Sequence, residues 1–239
     1  MAGKFYGLGV GPGDPKLLTI KAVEVLRSVP VVAVPRSRAD KNSIALEIAR
    51  PFLPEGAEVL ELTLPMTTDP VLLETSWQGA AETIIERLND GQDVAFLTLG
   101  DPSLYSTYQF VLQKLMGMSP ELDIETVPGI TSFAASAALV NQPLAIGDEP
   151  LLILPAIDDN LGFYLEEFPN LVLMKVSRDF DQIVQTLDVH DKRGVFVSRC
   201  GSEQQAVIRD LKSLEGKNVD YLSLILVKNN PGEEGGHSK

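Results

Sequence analysis

The sequence predicts an α/β fold of two α/β domains, with an N-terminal parallel sheet and a C-terminal mixed sheet. Short apolar runs alternate with segments whose apolar residues recur at helical spacing, which is typical of sheets covered by helices. Three of the early runs end in turns that combine glycine with proline. After about residue 147 the pattern of strands changes, which indicates a second unit and fits a length of 239 residues.

The elements of the first domain, assigned to residues 1–127, follow from this periodicity. Strands are predicted at 4–10, 31–35, 57–64, 93–100 and 121–127. Helices are predicted at 17–29, 42–53, 72–91 and 103–115. The first and last of these helices follow an Asp-Pro pair, which favours a helix start. Right-handed crossovers between parallel strands then place the strand-to-helix turns on one edge of the sheet.

The second domain, assigned to residues 128–230, begins with a helix of small residues at 130–140. Strands are predicted at 149–156, 170–177, 194–201 and 220–228, with helices at 179–187 and 203–214 between them. Residues 231–239 are polar and rich in glycine, so a disordered tail is predicted there.

The composition restricts the class of partner. Twenty Lys and Arg against 33 Asp and Glu give a net charge of −13, which disfavours nucleic acid as the main partner. An anionic ligand therefore needs a local cluster of cations. A single cysteine excludes an intrachain disulfide, and no segment has the roughly 20 consecutive apolar residues of a membrane helix. Because the N-terminus lacks a signal-peptide pattern, a cytoplasmic protein is expected.

The opening turn, GLGVGPGDPKLL at residues 7–18, is as rich in glycine as a nucleotide-binding loop but matches neither standard pattern. No Gly-Lys-Ser/Thr follows it, and Pro12 or Asp14 stands where the dinucleotide fingerprint has its third glycine. Pro12 lacks the N–H that a phosphate cradle uses, and the Asp14 carboxylate repels phosphate. The turn therefore favours a ligand that is neutral or cationic where it meets the protein.

Three turns, at 11–15, 100–102 and 128–129, are expected to border one site, because ligands of open α/β sheets bind at the carboxyl ends of the strands. Asp14 and Asp101 each precede a proline at a predicted helix start. For Asp14 a helix cap is expected. For Asp101 two interpretations stay open, a cap or a carboxylate that also binds a ligand hydroxyl.

Other catalytic motifs do not occur in the sequence. The two histidines lie in a polar loop and in the tail, so neither a histidine triad nor a metal site is expected. Cys200 is expected to be a small buried side chain rather than a nucleophile. Arg36, Arg38 and Lys41 cluster after a strand, and they are either a solvated loop or the cations that an anionic substrate requires.

Five stretches together resemble the tetrapyrrole (precorrin) methyltransferases, which use S-adenosylmethionine. They are GLGVGPGDPKLLTIKA, LTLGDPSLYST, VPGITSFAASAA, RCG and YLSLILVK, in the family's order and over essentially the whole chain. Four stretches are most similar to the branch that methylates carbon 20 of precorrin-2 or its cobalt complex in cobalamin synthesis: PMTTD at 65–69, the helix around Trp77, DVAFLTLGDPSLYSTY and LMKVSR. The resemblance implies two α/β domains with the cofactor in the cleft between them, usually in a homodimer.

The resemblance also implies site residues, position by position. Cofactor contacts are expected at Pro12, Leu99, Gly100, Asp101, Leu104, Thr131, Ser132, Lys175, Gly201, Leu222, Ser223 and Leu224. Asp101 and Tyr105 are the candidate catalytic residues, because the proton on carbon 20 must leave. Substrate contacts are expected at Gly11, Asp14, Arg36, Arg38 and Lys41. Leu99 and Lys175 depart from the family's usual glycine and methionine, so backbone contacts are expected there. Any cobalt belongs to the substrate, and no protein metal site is implied.

Alternatives stay open both within this fold and outside it. Another branch methylates a different precorrin position, and the diphthine branch methylates a modified histidine of an elongation factor. The branch that methylates ribosomal RNA needs a basic face, which a net charge of −13 disfavours. From another class, a non-catalytic nucleotide-binding module would bind ATP or NAD and transfer no methyl group.

Overall fold

The computed structural model describes residues 2–36, 43–155 and 158–228. The backbone separates into two compact units that divide between Thr131 and Ser132. Each unit has one five-stranded sheet with helices, which confirms the predicted fold class. The predicted domain limits at residues 127 and 230 stay predictions. Within the described ranges, no helix combines the length and the apolar character that crossing a membrane requires.

The sheet of the first unit is parallel throughout. Its strands are β1 (Phe5–Gly9), β2 (Val31–Arg36), β3 (Glu58–Thr63), β4 (Val94–Thr98) and β5 (Ile124–Val127). Its helices are α1 (Ile20–Ser28), α2 (Ile44–Ala49), α3 (Pro70–Asn89) and α4 (Tyr108–Met118). The strand order is β3-β2-β4-β1-β5, so β1 pairs with β4 on one side and with β5 on the other. The carboxyl ends of these three strands are therefore neighbours.

Helices cover both faces of this sheet, because successive side chains of a strand point to opposite faces. Ala95 and Leu97 of β4 belong to the apolar core formed with α1 and α2. Val94 and Phe96 belong to the core formed with α3 and α4. A strand buried on both faces has a continuous apolar sequence, as VAFLT of β4 has.

The first helix starts later than the sequence predicts, because two residues share the capping. The Asp14 carboxylate accepts a hydrogen bond from the Lys16 N–H at 2.8 Å and caps only a 3₁₀ turn, Pro15–Leu17. The α-helix α1 begins after Thr19, whose hydroxyl accepts from the Ala22 N–H at 3.2 Å. Asp14 is therefore the cap of a short turn rather than of the long helix.

Helix α4 also starts later than predicted, at Tyr108 rather than at residue 103. The residue that precedes the helix is Thr107, whose side chain makes no capping bond, and the Ser106 hydroxyl accepts from the Tyr108 N–H at 3.1 Å, so Asp101 does not cap α4. Residues 101–107 consequently form a loop at the carboxyl edge of the sheet instead of the first turns of a helix.

The second unit has a mixed sheet. Its strands are β6 (Leu151–Leu154), β7 (Asn170–Met174), β8 (Arg193–Ser198), β9 (Ala206–Ile208) and β10 (Ser223–Lys228). Its helices are α5 (Ser132–Leu139), α6 (Leu161–Glu167) and α7 (Phe180–Val189). In the order β6-β7-β10-β8-β9, β6 and β7 are parallel and the other neighbours are antiparallel. Its core includes Leu173, Phe196 and Ile225 from three of these strands.

The helix predicted at 203–214 is wrong. Val207 and Ile208 are paired with β8 as strand β9, and a 3₁₀ turn, Leu211–Leu214, follows. The β-branched pair favours an extended backbone, and the open edge of β8 supplies the hydrogen-bond partner that an isolated segment lacks. Helix α6 is missing from the sequence prediction because its seven residues contribute only two buried side chains, Leu161 and Leu165.

Substitution of alanine at two glycines of the first unit, Gly7 and Gly79, is expected to have opposite effects on the free energy of unfolding. A Cβ on Gly7 lies 2.0 Å from Cζ of the fully buried Tyr108 ring, so Gly7→Ala is expected to destabilise the protein by about 1–3 kcal/mol. A Cβ on Gly79, inside α3, meets nothing within 4 Å. Because alanine favours the helix, Gly79→Ala is expected to stabilise by about 0.5–1 kcal/mol. Urea unfolding measures both changes, and equal effects of the two substitutions would contradict this packing.

Candidate active site

The turns that follow β1, β4 and β5 meet at the carboxyl edge of the first sheet. The Gly100 N–H donates to the Gly11 carbonyl at 2.8 Å, and the Gly11 N–H donates to the Gly100 carbonyl at 3.2 Å. Their φ angles are +73° and +77°, a left-handed backbone that glycine adopts readily and other residues rarely do. The glycine pair therefore links the first predicted turn to the second.

The third turn packs against both through backbone atoms. A Cβ on Gly129 would lie 2.2 Å from the carbonyl oxygen of Gly100, and one on Gly9 would lie 2.6 Å from the Gly129 nitrogen. No side chain fits between these three glycines. The edge is consequently lined by backbone N–H and C=O groups, which a ligand can approach closely.

Asp101 holds the second turn to the third. Its Oδ2 accepts from the Gly129 N–H at 2.9 Å, and its Oδ1 accepts from the Ser103 N–H at 2.8 Å and from the Ser103 hydroxyl. Burial by itself raises the pKa of Asp101, but the hydrogen bonds from Ser103 and Gly129 outweigh it and bring the pKa below its ordinary value. The carboxylate is therefore ionised, and both its oxygens bind groups of the protein.

The loop between Asp101 and α4 presents Tyr105 in a strained conformation. Tyr105 has a φ of +50° and is 46% exposed. At the start of the loop, the Leu104 N–H donates to the Asp101 carbonyl at 3.3 Å. At its end, the hydroxyls of Ser106 and Thr98 form a hydrogen bond of 2.7 Å. The loop is thus anchored on both sides of Tyr105.

The other predicted residues of this unit have different surroundings. Pro12 is buried next to the glycine pair, and Leu99 packs on the core of α1 and α2. Arg36 ends β2, and its guanidinium forms an ion pair with Glu61 of β3. The strand that carries Arg36 is separated from β1 by β4. Arg38 and Lys41, the other members of the predicted cationic cluster, lie outside the described residues.

The predicted cofactor residues of the second unit gather at one end of its sheet, apart from Ser132 at the start of α5. Ser223 pairs with Ser198, the last residue of β8, and Leu224 pairs with Met174, the last residue of β7. Lys175 follows β7 with a φ of +54°. Gly201 follows β8 with a φ of +83°. Leu222 directly precedes β10. These residues therefore lie at the same end of the sheet, where Lys175 and Gly201 form left-handed turns.

Arg199 and Asp220 hold this end of the sheet together by hydrogen bonds. Neither of them was predicted from the sequence as a site residue. The Arg199 Nε donates to Asp220 Oδ2 at 2.7 Å, and the Arg199 N–H donates to the Leu222 carbonyl at 2.8 Å. Asp220 Oδ1 accepts from the Leu222 N–H at 2.8 Å. Arg199 is itself left-handed, with a φ of +47°. The sequence places an arginine and an aspartate next to two predicted strands, in RCG and DYLSLILVK. This pair of opposite charges was the signal that could have identified Arg199 and Asp220.

Cys200 has the surroundings of a structural thiol. It is free and buried, and burial raises the pKa of its thiol although the Ser136 hydroxyl lowers it in part. A raised pKa leaves little thiolate to act as a nucleophile. Among the described residues, no group of three or more His, Cys, Asp or Glu is arranged to hold a metal ion.

Comparison with known proteins identifies the family. Residues 4–215 match the model of the family described as Tetrapyrrole (Corrin/Porphyrin) Methylases. The chain belongs to this family. It is 40% identical over 233 residues to a probable cobalt-precorrin-2 C(20)-methyltransferase of Methanocaldococcus jannaschii, with 94% of this chain and 96% of that protein covered. It is 39% identical over 185 residues to the cobalt-precorrin-2 C(20)-methyltransferase of Salmonella typhimurium, with 77% of each covered.

Solved structures of other methyltransferases share the fold. A cobalt precorrin-4 methyltransferase has a TM-score of 0.74 at 23% identity, with 94% of each chain covered. The uroporphyrin-III C-methyl transferase of Thermus thermophilus, complexed with S-adenyl homocysteine, has a TM-score of 0.68 at 22% identity, with 95% of this chain and 92% of that one covered. These likenesses support the two α/β domains.

Asp101→Asn tests whether the carboxylate holds the turns together. An amide presents an N–H₂ group to one of the backbone N–H donors, so the variant is expected to lose about 1–3 kcal/mol of unfolding free energy in urea. Asp14→Asn is the matched control, because Asp14 also precedes a proline but accepts a single capping bond that asparagine can replace. Equal losses in both variants would contradict the linking role.

The difference in unfolding free energy between the wild type and the Asp101→Asn variant is expected to depend on pH. Folding lowers the pKa of Asp101, so its stabilising contribution is complete above the unfolded value of 3.8 and is lost as pH falls through the lower folded value. The advantage of the wild type in urea unfolding is therefore expected to stay constant at neutral pH and to shrink below about pH 4. A constant advantage down to the acid unfolding transition would count against an ionised Asp101.

Proposed function

We propose that the chain is an S-adenosylmethionine-dependent C-methyltransferase that acts on carbon 20 of precorrin-2 or cobalt-precorrin-2 in cobalamin biosynthesis. The observation that carries this proposal is the meeting of three glycine turns at one sheet edge, in a chain 40% identical to a carbon-20 enzyme over nearly its full length. An edge lined by backbone groups suits a ligand that must be held closely and oriented.

The chemistry of this edge suits a sulfonium better than a phosphate. Pro12 offers no N–H, and Asp101 is ionised beside the glycine pair. Negative charge at this position repels a diphosphate and attracts a cationic sulfur. S-adenosylmethionine supplies an electrophilic methyl group on such a sulfur. In our proposal its contacts are Pro12, Leu99, Gly100, Asp101, Leu104, Thr131, Ser132, Lys175, Gly201, Leu222, Ser223 and Leu224.

Methyl transfer forms a bond to carbon 20 and breaks the bond to sulfur, and the proton on carbon 20 must leave. Asp101 is a weak base for that proton because its pKa is lowered and both oxygens already accept hydrogen bonds. This supports a positioning role for Asp101. We assign the proton relay to Tyr105, whose side chain is 46% exposed and stands on an anchored loop. The remaining contribution of the protein is to orient the two reactants.

The substrate is a polycarboxylate, and the protein is strongly acidic, so its binding needs local cations. In our proposal Arg36 exchanges Glu61 for a substrate carboxylate, since an exposed ion pair contributes little stability. Arg38 and Lys41 belong to the same proposed cluster, and Gly11 and Asp14 are further proposed contacts.

We also propose a cytoplasmic homodimer. Helices α3 and α4 expose apolar side chains, among them Val71, Leu72 and Phe110. Trp77 stacks on Phe110 with ring centroids 4.2 Å apart and ring planes within 5°. Exposed apolar groups of this kind support an interface with a second copy. A single free, buried cysteine is consistent with a reducing compartment.

Incubation with S-adenosylmethionine carrying a carbon-13 methyl group tests the activity. Precorrin-2 and cobalt-precorrin-2 are supplied separately, and mass spectrometry and carbon-13 NMR follow the product. We expect a gain of one CH₂ with the label on carbon 20, and the faster substrate identifies the preferred form. Label on another carbon would favour a different precorrin methylase. Binding of ATP or NAD without any methyl transfer would favour the nucleotide-binding module.

Arg36→Ala combined with Arg38→Ala tests the cationic cluster. The double variant removes two proposed charge-assisted contacts, each worth about 1.5–3 kcal/mol, so it is expected to raise KM for the tetrapyrrole about tenfold or more and to leave the Kd for S-adenosylmethionine unchanged. Arg87→Ala is the matched control, since Arg87 pairs with Glu58 of the same strand that carries Glu61. Equal weakening of both ligands, or an equal effect in the control, would refute the assignment.

A further inference from the structure

The second unit contains a cavity of about 610 Å³ that the proposed reaction does not use. Its floor includes Val195 of β8 and Leu226 of β10, which are direct cross-strand partners. Its wall is the segment after α5, from Val140 to Ile146. The volume lies within the range of about 300–1,000 Å³ that small-molecule sites occupy.

This cavity lies at the other end of the strands from the proposed cofactor residues. β10 begins at Ser223, beside the cofactor end, and ends at Lys228 in the cavity lining. β8 runs the opposite way, from Arg193 in the lining to Ser198 at the cofactor end. Five residue steps along a strand separate the two places by roughly 17 Å. The cavity is therefore separate from the cofactor residues of this unit.

Three cationic side chains line the cavity, from Arg193, Arg209 and Lys228. None of the three forms an ion pair with a residue that the structure describes, whereas Lys4 and Lys114 of the first unit are paired with carboxylates. The described lining includes no Asp or Glu. In a chain of net charge −13, three unpaired cations around one apolar floor are a local excess of positive charge.

The strand register adds an independent observation. Arg193 and Lys228 stand directly opposite each other on antiparallel strands, so their side chains leave the same face of the sheet. Like charges in this position destabilise a sheet. Lys228 also faces Asn170 of β7, which is neutral. The sheet therefore carries an electrostatic cost that an anion between the two side chains would remove.

Nearby carboxylates offset these positive charges only in part. Glu149 bonds to the Ile146 N–H at 2.9 Å and to the Asn170 amide at 3.0 Å, and these bonds, more than the charge of Lys228, lower its pKa. Asp188 pairs with Lys212 in an adjoining cavity of about 310 Å³. Asp210 also lines that second cavity, which shares Arg193 and Arg209 with the first, but no ion pair joins either arginine to a described carboxylate.

We propose that the 610 Å³ cavity binds a small organic anion, a carboxylate or phosphate ester with an apolar body. Val195, Leu226 and Ile146 contact the apolar body, and the three cations bind the anionic group. The inference rests on the cavity, the register and the charges of the second unit, and it does not depend on the proposed methyl transfer.

Calorimetric titration with four probes tests the ligand class. The probes are 2-naphthoate, 2-naphthyl phosphate, neutral 2-naphthalenemethanol and inorganic phosphate. We expect saturable binding of at least one naphthyl anion at one site per chain, about tenfold or more tighter than the neutral compound or inorganic phosphate. The stronger of the two anions distinguishes carboxylate from phosphate chemistry. Absence of saturable binding, or equal binding of the neutral compound, would overturn the proposal.

Arg193→Gln with Lys228→Gln locates the site, because glutamine keeps most of the side-chain stem and removes the charge. This double variant is expected to bind the naphthyl anion about tenfold more weakly than wild type. The control pairs Lys217→Gln with Arg27→Gln, two exposed cations elsewhere that form no ion pair with a described residue, and is expected to bind as the wild type does. Equal weakening in both double variants would mean that overall charge, not this cavity, attracts the anion.

Thermal unfolding without ligand tests the electrostatic argument separately from binding, so a double variant that fails to bind only because it is misfolded does not decide the outcome. Arg193→Gln alone is expected to raise Tm, because it removes the repulsion with Lys228, and Lys217→Gln is not. An unchanged or lower Tm for Arg193→Gln would remove the electrostatic argument. Sedimentation equilibrium completes the test: an oligomeric state altered by the double variant would identify the cavity as an interface between copies and overturn its assignment to a small anion.

Discussion

Backbone contact among Gly9, Gly100 and Gly129 is the constraint on which the candidate site depends. The order β4-β1-β5 brings their three turns to neighbouring strand ends, and the absence of side chains lets the turns touch. A Cβ on Gly129 would overlap the Gly100 carbonyl. The ionised Asp101 then links the second turn to the third, and the loop that carries Tyr105 begins from that link. Ligand chemistry at this edge therefore depends on backbone geometry first.

Left-handed backbone conformations occur at the strand ends that carry candidate site residues. Lys175 and Arg199 have left-handed φ angles and directly follow a strand, and Tyr105 is left-handed in the loop after β4, whereas the left-handed Asn141 and Asp191 follow helices. Such conformations cost free energy and persist only when surrounding contacts fix them. Around Tyr105 those contacts are the Asp101 turn and the Thr98–Ser106 bond. For Arg199 they are its hydrogen bonds to Asp220 and Leu222. Both units thus hold strained residues with local polar contacts.

The acidic composition of the chain also restricts where an anionic ligand can bind. A chain of net charge −13 can hold an anionic ligand only where cations are freed from carboxylates. Arg36 is paired with Glu61 at a strand end of the first unit, so its availability depends on exchange between partners. At the cavity of the second unit, Arg193 and Lys228 are opposed to each other instead. An anion that binds Arg36 therefore replaces an existing ion pair, whereas an anion that binds at the cavity relieves the repulsion between Arg193 and Lys228.

Local sequence determined the strands, the family motifs and the presence of glycine turns, because apolar runs and glycine-proline pairs act over a few residues. Tertiary structure decided the rest. Segment 203–214 has helical spacing, but the edge of β8 draws Val207 and Ile208 into a strand. Asp101 precedes a proline as a helix cap does, yet Gly129, 28 residues away, supplies its partner. The Arg193–Lys228 opposition also needs the register of two distant strands. Hydrogen-bond partners and charge neighbours far apart in sequence are set only by the assembled sheet.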